Sequence, residues 1–123
     1  MRNNRQAYPS LQPGTIRLDP GQSRWILTFT MALGGLFLLD VLTTQVILGK
    51  GGVELNPAMA GIVAYPALHI AIKSATLLLA LAVSFIAERK IRGTGIFLST
   101  VLVLMYTGIL ANNLAVLIPM TFP

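Results

Sequence analysis

The run from Trp25 to Leu48 constrains this chain more than any other feature. It carries one charged residue, Asp40, and is otherwise dominated by Leu, Ile, Val, Phe and Met. A helix needs about 20 residues to cross a hydrocarbon core, and this run is longer. Arg24 and Trp25 stand at its edge as an interfacial anchor, a charge beside an amphipathic ring. A cleaved signal peptide would have a shorter apolar region and a small-x-small site after it. Neither is present, so the run reads as an uncleaved first transmembrane helix.

Two further runs repeat the pattern. Pro66 to Ala87 leads into the charged group Glu88, Arg89, Lys90 and Arg92, with Gly93 as a stop. Gly95 to Ile118 follows, closed by Pro119 and Pro123. Between the first two runs, Gly49, Gly51 and Gly52 end one helix. Asn56 is a good N-cap and Pro57 suits the first helical position, so E-L-N-P reads as a helix start. Pro66 disfavours helical geometry at Tyr65. Residues 57–64 are therefore a short interfacial or re-entrant helix, or the first turns of one kinked helix. The expected fold is all-α, an integral membrane bundle of three transmembrane helices at 25–48, 66–87 and 95–118. Residues 1–23, with Pro9, Pro13 and Pro20, read as a flexible cytoplasmic tail, and 24–123 as the membrane domain.

Composition agrees. Only 11% of the residues are charged, against about 25% in soluble domains. The chain has no cysteine, which excludes disulfides, thiolate metal sites and iron–sulfur clusters. Its net charge of +5 lacks the interleaved aromatics of a nucleic-acid surface, so no nucleic-acid partner is expected. The basic residues instead report topology. Arg2, Arg5, Arg17 and Arg24 precede span one, and Arg89, Lys90 and Arg92 join spans two and three; these are seven of the nine Lys and Arg residues. By the positive-inside rule the N-terminus is expected in the cytoplasm of a multi-pass plasma-membrane protein, with the E-L-N-P loop and the C-terminus outside.

Helical rise places several polar residues at one depth. Asp40 lies roughly 12 Å below the outer edge of span one, Lys73 roughly 10 Å below that of span two, and Asn112 and Asn113 roughly 8 Å down span three. A charge at the centre of a membrane helix costs about 2.5–3.5 kcal/mol on insertion scales, a cost that pairing reduces. A buried polar layer of Asp40, Thr44, Lys73, Asn112 and Asn113 is therefore expected, with Asp40 facing Lys73. In span two, His69, Lys73, Thr76, Ala80 and Ser84 form a small-polar stripe toward the bundle. Gly34, Gly35, Gly108 and Ala111 offer small-residue faces for close helix approach.

Each feature has a plainer reading beside the functional one. Asp40 with Lys73 is an ion pair before it is a transport site. Glu54 and Asn56, with His69 near the same edge, are outer-face polar residues before they are catalysts. A b-type haem commonly takes two axial ligands, and His69 would need Met59 or Met105 as its second, so no cofactor and no metal are expected.

The combination of Asp40, Thr44, a Gly51–Gly52 turn and Glu54-x-Asn56-Pro57 resembles an uncharacterised family of small prokaryotic membrane proteins, classed only as a domain of unknown function. The similar segment runs from span one through span two; span three matches only in being hydrophobic. The resemblance implies a prokaryotic plasma-membrane protein of three or four spans and implies no reaction.

Three functions compete. The first is a non-enzymatic accessory or structural subunit, packed in a larger complex or homo-oligomer. The second is a minimal ion- or proton-conducting element using Asp40, Lys73 and His69. The third is an intramembrane or lipid-handling enzyme using Glu54, Asn56 and His69, which ranks last because no nucleophile–base pair, metal-ligand spacing or phosphate loop is present. The topology is directly testable in a chain without cysteine. A single cysteine at position 54 is expected to react with an impermeant maleimide on intact cells, and one at position 90 only after permeabilisation; the reverse pattern inverts the orientation.

Overall fold

A computed structural model describes residues 18–122. Among them are four helices and no strand: α1 (Pro20–Gly49), α2 (Pro57–Val63), α3 (Pro66–Lys90) and α4 (Thr94–Thr121). The three long helices are each long and apolar enough to cross a membrane. This is the all-α three-span bundle expected from the sequence, with α2 as a separate short helix before the second span.

The first helix begins earlier than its apolar run. Pro20 occupies the first turn, and Gln22 accepts a hydrogen bond from the Asp19 backbone N–H at 3.4 Å. A proline needs no N–H donor there, and a side chain reaching back to the cap satisfies one orphan donor. Residues 20–23 thus join the helix rather than the tail. Of the rest of the expected tail, residues 1–17 lie outside the described residues.

The break before α3 follows from Pro66. Tyr65 adopts φ −116° and ψ 99°, extended geometry that separates α2 from α3. Gln45 of α1 donates to the Val63 carbonyl at 2.9 Å and so ties the end of α2 to the bundle. Val63 is buried there. At the other end of α4, Pro119 lies inside the helix, which continues to Thr121. The expected stop at Pro119 is displaced: the proline falls in the last turn, and Phe122 N–H still donates to the Ile118 carbonyl at 3.0 Å.

Helix α1 is the centre of the bundle. Its buried residues Ile26, Leu33, Phe37 and Val41 recur at spacings of seven and four, with Asp40 on the same stripe. Helices α3 and α4 pack on α1 and on each other. Gly34 opens room for Leu77 of α3, whose methyl would lie 3.3 Å from an added Cβ. This shifts the expected stripe on α3. Leu77 faces the bundle, while Thr76 is exposed and donates to its own helix at the Ile72 carbonyl, 2.8 Å away. Lys73 plus four residues keeps the same helix face better than plus three does.

The α3–α4 turn rests on Glu88, which by sequence is one of the charged group that follows span two. Glu88 is only 2% exposed. Its Oε1 accepts from Gly93 N–H at 2.7 Å, and its Oε2 from Gly95 and Ile96 N–H at 2.9 and 3.2 Å. A side chain from α3 thereby caps the first turn of α4, where the amides lack helical partners and the dipole favours an anion. Gly93 has φ +89°, which the turn requires and glycine adopts freely. At Gly95 a Cβ would collide with the Ser84 carbonyl. One turn on, Ser99 donates to Ser84 at 3.0 Å. Substituting Glu88→Ala orphans these amides and is expected to lower stability in detergent by about 2 kcal/mol. A thermal unfolding midpoint unchanged from wild type would remove this role from Glu88.

Candidate functional site

Asp40 is held between the two other long helices. Its Oδ2 lies 2.8 Å from Lys73 Nζ of α3. Its Oδ1 accepts from Asn113 Nδ2 of α4 at 2.8 Å. The same amide nitrogen lies 3.3 Å from Thr43 Oγ1 and 3.4 Å from Thr44 Oγ1. Thr43 passes its own proton back to the carbonyls of Leu39 and Asp40. Both carboxylate oxygens are therefore engaged, and one acid joins three helices.

Lys73 is enclosed from its other side by rings. Its ammonium sits 5.0 Å from the centroid of Phe37 and 4.7 Å from that of Tyr106. The two rings are 4.4 Å apart and tilted by 56°. Aromatic faces attract a desolvated cation by about 2 kcal/mol, so the box offsets part of the burial cost. By sequence Tyr106 reads only as packing or a hydroxyl donor and Phe37 is not singled out, because an aromatic residue in a membrane helix carries no sign of what it stacks on.

Four expected site residues lie elsewhere. Asn112 is exposed and takes no part in the carboxylate network, since one residue along a helix turns the side chain about 100° away. His69 lies on the same helix face as Lys73, one turn nearer the loop. It is 1% exposed, and neither ring nitrogen has a hydrogen-bond partner among the described residues. Asn56 accepts from Ala58 N–H at 3.1 Å as the cap of α2. Glu54, which had no structural role by sequence, accepts from Asn56 N–H at 2.8 Å.

A cavity of about 300 Å³ opens beside the network, at the seam between α1 and α4. Thr44, Asn112 and Asn113 provide its polar lining, Ile47, Leu48 and Val116 its apolar walls, and Glu54 closes it from the loop. The polar layer and the E-L-N-P loop, separate in sequence, thus meet at one site.

The family model for a domain of unknown function, DUF5658, matches residues 31–119. The chain belongs to that family. The DUF5658 segment contains every residue of the polar network and the cavity, and it extends through the third span, beyond the resemblance seen from the loop pattern. No curated protein and no solved structure matches this DUF5658 member.

The network makes a double-substitution test informative. Breaking a buried ion pair on one side costs about 3–5 kcal/mol, whereas replacing both partners by apolar residues is often neutral. Asp40→Leu and Lys73→Met are each expected to abolish accumulation of folded protein, and the double variant to restore most of it. Accumulation is read by fluorescence-detected size exclusion of a tagged chain, and a double variant no better than either single one excludes direct pairing.

Proposed function

We propose that this DUF5658 protein is a non-enzymatic membrane subunit that packs against a protein partner or a second copy of itself. The observation that carries the reading is the closed network at Asp40. Both carboxylate oxygens are spent, and Lys73 is held by the acid and two rings, so the charges serve to clamp the helices. A group bound on every side is poorly suited to act as a base or to relay an ion.

The outer faces support a packing role. Gly108, Ala111 and Ala115 are exposed on α4, and an added Cβ at Gly108 would meet nothing. Small residues of this kind let helices approach closely in lipid. The proposed setting is the plasma membrane, with the Asp19–Arg92 end in the cytoplasm and the cavity end outside. Asp19 and Arg92 approach to 3.8 Å and mark that shared end.

A second reading, a proton-handling element, is favoured by His69 alone. A buried imidazole with neither nitrogen satisfied is costly and stands next to the pair. Proteoliposomes with an internal pH dye separate the two readings: proton flux that disappears in His69→Leu favours the second, and no flux ends it. For the packing role, gentle extraction and native mass measurement are expected to give a particle heavier than one chain. Gly108→Leu, whose added Cβ meets nothing within 4 Å among the described residues, is expected to reduce that particle to the monomer. A monomeric wild type would overturn the proposal.

A further inference from the structure

The cavity between α1 and α4 carries chemistry that the packing role does not use. The chain has four acids, Asp19, Asp40, Glu54 and Glu88. Three of them face a cation or several amides: Asp19 meets Arg92, Asp40 meets Lys73 and Asn113, and Glu88 caps the first turn of α4. Glu54 accepts one backbone N–H through Oε1, and its Oε2 accepts no hydrogen bond from the described residues. Glu54 is among the residues that line the cavity, as is the exposed Asn112.

A cation sits at the rim. Lys50 Nζ donates to the Met120 carbonyl at 3.3 Å. Met120 lies four residues beyond Val116, so it stands one turn above that cavity wall on the same face of α4. Arg24, Arg89, Lys90 and Arg92 all lie at the opposite end of the long helices, and Lys73 is committed to Asp40. Among the described residues, Lys50 is therefore the cation of this rim. An acid in the cavity and a base above it fit a ligand with both charges.

We infer that the cavity binds the headgroup of a phospholipid bearing a primary ammonium, with the ammonium on Glu54 and Asn112 and the phosphate toward Lys50. The volume of about 300 Å³ is at the lower end of small-molecule pockets and suits a headgroup with the first part of its chains. The apolar walls at Ile47, Leu48, Val53, Leu55 and Val116 suit a ligand that continues into acyl chain. A bare divalent ion is a poorer occupant, since calcium takes six to eight oxygens and the cavity offers one carboxylate. A headgroup with a quaternary ammonium gives Glu54 no N–H to accept.

The test uses the full chain, delipidated in mild detergent and titrated by native mass spectrometry. Phosphatidylethanolamine is expected to bind about tenfold more tightly than phosphatidylglycerol or phosphatidylcholine, the effect of one charge-assisted contact. Glu54→Gln keeps an acceptor for Asn56 N–H and is expected to bring phosphatidylethanolamine to the level of phosphatidylglycerol. Asn112→Leu, outside the Asp40 network, narrows the cavity and is expected to weaken phosphatidylethanolamine by a similar factor. Equal affinity of the three lipids for wild type overturns the proposal, as does a preference that survives Glu54→Gln. Tight binding of free phosphoethanolamine, equal to that of the lipid, overturns the lipid as ligand and assigns a soluble headgroup.

Discussion

Everything in this bundle depends on holding Asp40 within an apolar seam. An ionised carboxylate far from water is stable only when its charge and both oxygens are answered. Here the answers come from different helices: a cation on α3 and an amide on α4. The requirement fixes the rotation of each long helix about its axis. It also fixes their relative height, because a shift of one residue along α4 would present Asn112 instead of Asn113. Apolar contacts in lipid give little preference among such registers, since a leucine face meets another helix or an acyl chain alike. The ion pair supplies the uniqueness that hydrophobic burial lacks here.

The far end is fastened by a different device. Glu88 binds the amides of Gly93, Gly95 and Ile96 across a three-residue connection, and Gly95 allows the backbones of α3 and α4 to touch. This contact is local in sequence, whereas Asp40 and Asn113 are 73 residues apart. The chain thus combines a short-range lock with a long-range one.

Much of the architecture was legible because the bilayer reduces the alternatives. Three apolar runs of spanning length, separated by glycines, prolines and a basic cluster, specify the helices almost without tertiary information. Depth from helical rise was enough to bring Asp40, Lys73 and Asn113 together on paper. What stayed hidden depended on side-chain azimuth and on turns. Asn112 and Asn113 have the same composition and nearly the same depth, and only their angle around α4 separates them. Glu88 was hidden among Arg89, Lys90 and Arg92, where an acid reads as one more interfacial charge. Its signal was the glycine spacing after it, Gly93 and Gly95, which marks a turn tight enough for the preceding helix to reach the next one's amides. Glu54 was hidden in the opposite way: its neighbours Asn56 and Pro57 explained a helix start so fully that the acid looked spare.

The cap at Glu88 has a mechanical consequence. With α3 and α4 joined rigidly at one end, the two helices form a single lever. That lever meets α1 near its other end, where Asn113 donates to Asp40 and also lines the cavity. The two fastenings lie roughly 27 Å apart along α4. The hairpin therefore leans on α1 as one body, and the cavity sits beside the point where the two are joined.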